Sequence, residues 1–279
     1  MKISNITYSF PYSCYINLTT KCNLRCKHCF GSYSVSIKNE LSLEEWKKVI
    51  NELVEMKVFY VNISGGEPTQ SPYFEDFLNY LSKKGIHFII TTNGVFSEKM
   101  REIIIKNKEY LIGLKISLDG PDEKSHGFLR LDSSEKYNPC LFQITLKNIF
   151  FFKGKDIPLT IASVLHKENI NKMREFRKLI KKINPISWFI SPMMPVGRGE
   201  VNKLVSEFYE YFDMNFWKDI QEEGIKNKIN VRMIDVPVEI QKGKMSAYSC
   251  PAALNFCEIH SDGTISPCTL CRVCISEKF

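Results

Sequence analysis

An α/β fold built on a parallel sheet is predicted by three observations. Strand-like and helix-like periodicity alternates along most of the 279 residues. The run over 58–63 is apolar nearly throughout, as a parallel strand buried on both faces is. The residues just after those runs are cysteine, glycine, glutamate, asparagine and aspartate. Strands alternating with helices form a parallel sheet through right-handed crossovers, and ligands then collect at the C-terminal ends of the strands. Periodicity by itself leaves an open sheet and a barrel equally allowed.

The first strand is expected over residues 14–19 and delivers the loop Lys21-Cys22-Asn23-Leu24-Arg25-Cys26-Lys27-His28-Cys29-Phe30 at its C-terminal end. Ser42-Leu43-Glu44-Glu45 reads as a capping box. It opens a helix through residue 56 with Leu43, Trp46, Val49, Ile50 and Leu53 on one face. Further strands are predicted over 58–63, 86–91, 111–118, 159–164 and 186–190, and helices over 73–84, 97–106, 140–153 and 170–183. A last helix over 204–222 completes six strand–helix units. Beyond it, 229–234 reads as another strand, and Asp262-Gly263-Thr264-Ile265 as a hairpin turn leading into a short strand. The expected division is a core over 1–200, the last helix and a linker over 201–228, and a cysteine-rich extension over 229–279.

Composition narrows the class. Hydrophobic residues at 44% and charged residues at 25% are ordinary for a globular chain. The net charge of +7 comes from Lys and Arg spread along helices with interleaved Glu, never as a basic block, so no nucleic-acid partner is expected. No apolar run approaches the length of a membrane span, and the mixed polar residues 1–10 do not read as a secretory signal, so a cytoplasmic location is expected. In a reducing compartment ten cysteines argue for metal or redox chemistry rather than a disulfide scaffold. Eight fall in two fields, Cys22, Cys26 and Cys29 near the start and Cys250, Cys257, Cys268, Cys271 and Cys274 near the end. Cys14 and Cys140 stand apart and read as small buried hydrophobes.

Three thiolates at this spacing can hold a metal cluster and leave one corner without a protein ligand, open to a cofactor or substrate. A zinc knuckle completed by His28, or thiols that merely lie close together, are the alternatives, but zinc sites usually come as paired halves. Gly65-Gly66-Glu67-Pro68 follows the second strand, where paired glycines allow close backbone approach and Glu67 can face an ammonium; a plain glycine turn is the other reading. Thr91-Thr92-Asn93-Gly94 ends the third strand and would also be explained as a simple Asn-Gly turn. Ser117-Leu118-Asp119-Gly120-Pro121 ends the fourth, with His126 and Arg130 just beyond. An arginine fork suits a carboxylate. Val164 and Leu165 close the fifth strand and would be core residues by default; Pro195-Val196-Gly197-Arg198-Gly199 after the sixth is equally well a surface turn.

Together these stretches resemble the radical SAM superfamily. The Asn23-Leu24-Arg25 insert and Lys27-His28-Cys29-Phe30 resemble its branch carrying a C-terminal SPASM or twitch domain. The resemblance implies a partial (β/α)6 TIM-like barrel and a [4Fe-4S] cluster held by Cys22, Cys26 and Cys29. It implies S-adenosylmethionine on the open iron, cleaved reductively to a 5'-deoxyadenosyl radical. By the same likeness Gly65, Gly66 and Glu67 would bind the methionyl amino group, and Asn93 would shape the site. Ser117 and Arg130 would meet the ribose and carboxylate, the backbone at Phe30 would read the adenine edge, and Leu165 with Val164 would pack on the adenine. Gly127 departs from relatives that carry Asp after the histidine.

The run from Cys250 through Gly263 to Cys268 resembles the opening of a SPASM motif and implies an auxiliary [4Fe-4S] cluster. Its expected ligands are Cys250, Cys257 and Cys268, completed by Cys271 or Cys274. A full SPASM domain would extend further than residue 279, so a compact twitch-like or shortened SPASM region is expected. The branch implies peptide or protein modification, such as thioether or carbon–carbon crosslinking or a sulfatase-maturase-like oxidation. It also implies a flavodoxin- or ferredoxin-type reductant and, since little chain precedes Cys14, a separate leader-peptide-binding protein. The alternatives are a twitch-type enzyme of a small molecule or tetrapyrrole, and a non-catalytic iron–sulfur or zinc protein.

Overall fold

A computed structural model describes residues 11–193, 196–203, 214–233 and 255–268. The chain opens with β1 (Ser13–Asn17), α1 (Leu43–Glu55), β2 (Tyr60–Ser64), a 3₁₀ turn at Pro68–Gln70, α2 (Phe74–Lys83), β3 (His87–Thr92), α3 (Glu98–Lys106) and β4 (Leu111–Ser117). It continues through α4 (Glu123–Leu129), α5 (Cys140–Lys153), β5 (Leu159–Val164), α6 (Lys167–Ile170), α7 (Met173–Ile183) and β6 (Ser187–Ser191). The last described elements are α8 (Arg198–Val201), α9 (Met214–Lys226), β7 (Asn230–Met233), β8 (Phe256–Ile259) and β9 (Ile265–Ser266).

All nine described strands share one unclosed sheet in the order β7-β6-β5-β4-β3-β2-β1-β8-β9. The six expected strands lie side by side and parallel, and the sheet extends past them on both sides. β7 adds to β6 in parallel, β8 adds to the free side of β1 in parallel, and β9 folds back on β8 as the antiparallel arm of the expected hairpin. In that hairpin Gly263 takes φ +84°, and Asp262 accepts hydrogen bonds from the amide and hydroxyl of Thr264 at 3.0 and 2.7 Å. The expected last helix is found as α9, and residues 204–213 of that expectation lie outside the described residues. Among the described residues no helix is long and apolar enough to cross a membrane.

Side chains alternate across a strand, and here the two faces divide the labour. Val61 and Ile63, Phe88 and Ile90, Leu114 and Ile116, Leu159 and Ile161, and Trp188 and Ile190 turn toward the helices and are buried in one core. That core meets the apolar stripes of the helices, such as Trp46, Val49, Ile50 and Leu53 of α1 and Phe176, Ile180 and Ile183 of α7. α1 begins as its sequence implies: the Ser42 hydroxyl accepts from the Glu45 amide while the Glu45 carboxylate accepts from the Ser42 amide at 2.8 Å. The intervening residues Ser64, Thr91, Lys115, Ser117, Ala162, Val164, Phe189 and Ser191 face the concave side and line a cavity.

Candidate active site

The cysteine loop is fixed from three directions. At its start the Glu40 carboxylate accepts from the Thr20 amide at 2.6 Å and from the hydroxyls of Thr20 and Thr19 at 2.9 and 3.0 Å. Along its middle the amides of Arg25 and Lys27 donate to the carbonyls of Leu131 and Leu129 at 2.9 and 2.8 Å. From the third side comes the segment after β6. Arg198 donates from its amide to the Cys29 carbonyl at 3.0 Å, from Nε to the Cys26 carbonyl at 2.8 Å and from Nη1 to the Tyr33 carbonyl at 3.2 Å. Asn202 adds a bond to the Lys27 carbonyl at 2.8 Å. Gly197, at φ +56°, allows this approach, since a Cβ there would lie 2.2 Å from the Phe30 carbonyl oxygen. The segment that reads equally well as a surface turn is a clasp on the cysteine loop.

Held this way, Cys22, Cys26 and Cys29 border one cavity of about 250 Å³ together with Phe30, Gly65, Gly66, Asn93, Ser117 and Arg130. The structure thus brings together residues from the ends of four consecutive strands and the segments that follow them. Phe30 packs edge-on against Tyr33 with ring centroids 5.9 Å apart. Two expected residues stand off the wall. The Glu67 carboxylate is fully buried and accepts four hydrogen bonds, from the Thr69 amide and hydroxyl at 3.3 and 2.8 Å, the Thr92 hydroxyl at 2.8 Å and the Asn93 amide at 2.8 Å. Burial pushes its pKa up, and these bonds pull against that rise. Its visible work is to tie the end of β2 to the end of β3. Leu165 lies in the core, and its neighbour Val164 borders the cavity.

The sulfur atoms meet polar hydrogens. Leu24 N lies 3.4 Å from Cys22 Sγ, Asn93 Nδ2 3.9 Å from the same sulfur, and Arg130 Nη1 3.8 Å from Cys26 Sγ. Burial pushes the Cys22 thiol up to about 12 and the Cys26 thiol up to about 11, the latter against the pull of Arg130. Three soft donors line one pocket and two of them already receive N–H contacts, a donor chemistry that fits a thiolate-bound iron–sulfur cluster. His28 also borders the cavity: its Nε2 lies 4.0 Å from Asp119 Oδ2, and burial lowers it to about 3.

Asp119 is the hub that the sequence reading passed over. It is fully buried, and its carboxylate accepts from Arg130 Nε at 2.7 Å and from the Val164 amide at 2.8 Å. Its amide donates to His126 Nδ1 at 3.2 Å, and its carbonyl accepts from Asn169 Nδ2 at 2.8 Å and meets His166 Nε2 at 3.1 Å. Burial works to raise the carboxyl, yet the Arg130 guanidinium wins and holds it at about 2. The only sequence signal was the Asp-Gly-Pro strand ending, which a turn would also explain. Gly127 has a packing reason, because a Cβ there would meet the Tyr137 ring at 2.5 Å.

The family model of the radical SAM superfamily matches residues 16–180, more than half of the sequence. The chain belongs to the radical SAM superfamily. As a radical SAM chain it is an enzyme, and the family implies S-adenosylmethionine and a [4Fe-4S] cluster; Cys22, Cys26 and Cys29 are soft donors of the kind such a cluster takes. An AdoMet-dependent heme synthase of Methanosarcina barkeri is 24% identical over 90% of this chain and 74% of the relative. Mycofactocin maturase MftC of Mycolicibacterium smegmatis is 31% identical over 65% of this chain and 44% of the relative. Among solved structures, Streptococcus suis SuiB bound to S-adenosylmethionine superposes with TM-score 0.72 at 20% identity, covering 93% of this chain and 60% of SuiB. The partial-barrel expectation holds. The chain therefore spans less than two thirds of MftC and of SuiB.

The second cysteine field is only partly described. Cys250, Cys271 and Cys274 lie outside the described residues. Cys257 sits on β8 opposite Cys14 of β1, with the two sulfurs 3.6 Å apart on the helix-facing side. The bond from Cys14 lowers the Cys257 thiol while raising that of Cys14. Cys14, expected as an isolated buried hydrophobe, is fully buried but faces another thiol, whereas Cys140, expected to be buried as well, is exposed at the start of α5. Cys268 follows β9 and is half-buried.

Proposed function

We propose that this radical SAM enzyme modifies a peptide or protein substrate. The observation that carries the reading is the convergence of Cys22, Cys26 and Cys29 with Gly65, Gly66, Asn93, Ser117 and Arg130 on one concave cavity. The substrate class is supported by the likeness to the maturase MftC. When bound, the cluster and S-adenosylmethionine supply reductive cleavage and a 5'-deoxyadenosyl radical that takes a hydrogen from the substrate.

The chain's own residues do the holding. Arg198 and Gly197 fix the thiol loop, Asp119 orients Arg130 toward a carboxylate, and Ser117 offers a hydroxyl beside it. The wall at Phe30 and Val164 suits the flat face of an adenine. Further parts of this reading are an auxiliary [4Fe-4S] cluster in the C-terminal cysteine field, a flavodoxin- or ferredoxin-type reductant in the cytoplasm, and a separate protein that presents the leader of the substrate.

Anaerobic reconstitution with iron and sulfide, followed by dithionite and S-adenosylmethionine, should yield 5'-deoxyadenosine, and Cys26→Ala should abolish it. No 5'-deoxyadenosine from the unsubstituted protein would refute the reading. About eight iron atoms per chain would support two clusters, and about four would remove the auxiliary one. A second reading, action on a tetrapyrrole, is favoured by the heme synthase likeness because it runs over 90% of the chain. Mass change in a cysteine-containing peptide, against change in an iron porphyrin, separates the two.

A further inference from the structure

Lys115 is a cation on the cavity wall that no acid of the described residues answers. Its strand, Leu111–Ser117, reads LIGLKIS, and the flanking Leu114 and Ile116 are buried against the helices. Alternation therefore turns Lys115 and Ser117 into the concave side, where both border the cavity that holds the three cysteines. Lys115 lies two residues before the strand end, about 7 Å deeper into the barrel than Ser117. Its register partners across the sheet are Thr91 and Thr160, neither of them acidic.

Among the described residues no carboxylate pairs with the Lys115 ammonium; its partner is the ring of Phe189, with Nζ 4.0 Å from the centroid. An aromatic face returns only part of the hydration that a half-buried ammonium loses. Burial accordingly lowers the lysine to about 8. A lysine serving only to fill space would be replaced at lower cost by methionine or leucine. The other cations of this wall have work: Arg130 is paired with Asp119 and Arg198 is bound to carbonyls of the cysteine loop.

We propose that Lys115 binds a carboxylate of the substrate inside the barrel, with Phe189 packing against the apolar stem that carries it. A peptide would supply it as an acidic side chain or a free C-terminus, and a tetrapyrrole as a propionate. The inference rests on reading the cavity as the radical SAM active site and deepens that reading to an acid-bearing substrate.

The test measures binding to the anaerobically reconstituted chain with S-adenosylmethionine present. One pair of ligands is coproporphyrin III and its tetramethyl ester. The other is the peptide acetyl-Gly-Glu-Cys-Gly with a free C-terminus, and its Gln analogue with a C-terminal amide. The expected result is that the acid member of one pair binds about tenfold more tightly than its neutral counterpart. Lys115→Met should remove that preference and Lys115→Arg should keep it. The pair that responds names the source of the carboxylate. The proposal is overturned if neither pair shows an acid preference in the unsubstituted protein, or if Lys115→Met keeps it. It is also overturned if Lys115→Met weakens S-adenosylmethionine binding by the same factor, which would assign the lysine to the cofactor. Failure of the broader reading shows separately, as absence of 5'-deoxyadenosine from the unsubstituted enzyme.

Discussion

Replacing Asp119 with leucine should cost this fold more than removal of most core side chains. The carboxylate is fully buried, and the guanidinium it holds at 2.7 Å belongs to Arg130, only 6% exposed. Breaking such a pair leaves an uncompensated charge and typically costs about 3–5 kcal/mol. The Val164 amide would lose its acceptor as well, a loss of about 1–3 kcal/mol when nothing replaces it. The two losses share one relaxed cavity and will not add in full, so about 4 kcal/mol is the expected destabilisation. In urea, with m about 3 kcal/mol/M, the midpoint of the reduced, iron-free chain should fall by more than about 1 M. Removing both charges, as Asp119→Leu with Arg130→Met, should recover at least half of the loss, because no buried ion then stands alone. A single Asp119→Leu change within about 1 kcal/mol of the unsubstituted chain would refute the argument, as would a double variant equal to the sum of its parts.

Gly197→Ala should cut iron retention after reconstitution and cost about 1–3 kcal/mol, since its φ is +56° and the new Cβ meets two carbonyls of the cysteine loop. Gly85→Ala, with φ +74° but nothing within 4 Å, is the control and should leave the iron content unchanged. Arg198→Met should speed iron loss to a chelator several-fold, because the carbonyls of Cys26 and Tyr33 lose their donors. Lys115→Met should stabilise the unloaded chain by about 2 kcal/mol at pH 7, the side chain being only partly withdrawn from solvent. The ordinary lysine value lies above the folded one of about 8, so the unfolded state binds more protons between them. The stability of the unsubstituted chain therefore rises through that window, and the advantage of Lys115→Met should fade from about pH 8 upward in paired urea titrations. Ile116→Ala should cost about 2–5 kcal/mol while Ser117→Ala leaves the melting curve nearly unchanged, since one faces the core and the other the cavity.

Most of the sheet was legible because its information is local. Runs such as Val61–Ile63 and Leu159–Val164 carry their own apolar pattern, and Ser42 with Glu45 carries its own cap. The strand ends were equally readable, since cysteine, glycine and aspartate interrupt an apolar run where it leaves the sheet. Pairing across long stretches was not. The register of Cys14 with Cys257 joins residues separated by more than two hundred positions, and no periodicity in either strand announces its partner. α4 escaped because seven residues with a central glycine give a weak helical signal. The clasp at Gly197 and Arg198 escaped for a related reason: a Gly-Arg-Gly run is a turn by composition and a brace only by where the fold sets it down.

The division of faces explains how one sheet can carry both stability and chemistry. Ten inner-strand hydrophobics turned to the helices supply the burial that holds the strands in register, and none of them touches the cavity. The concave face is then released from packing duty, which is why serine, threonine and an ammonium can stand there. What precision the cavity has comes from loops pinned at the rim by Glu40, Asp119 and Arg198, each satisfying backbone groups of a segment distant in sequence. Lys115 is set apart by the absence of such a role among the described residues: it braces no loop and pairs with no acid. A group that costs the fold free energy and supports none of its neighbours is best understood through what enters the barrel.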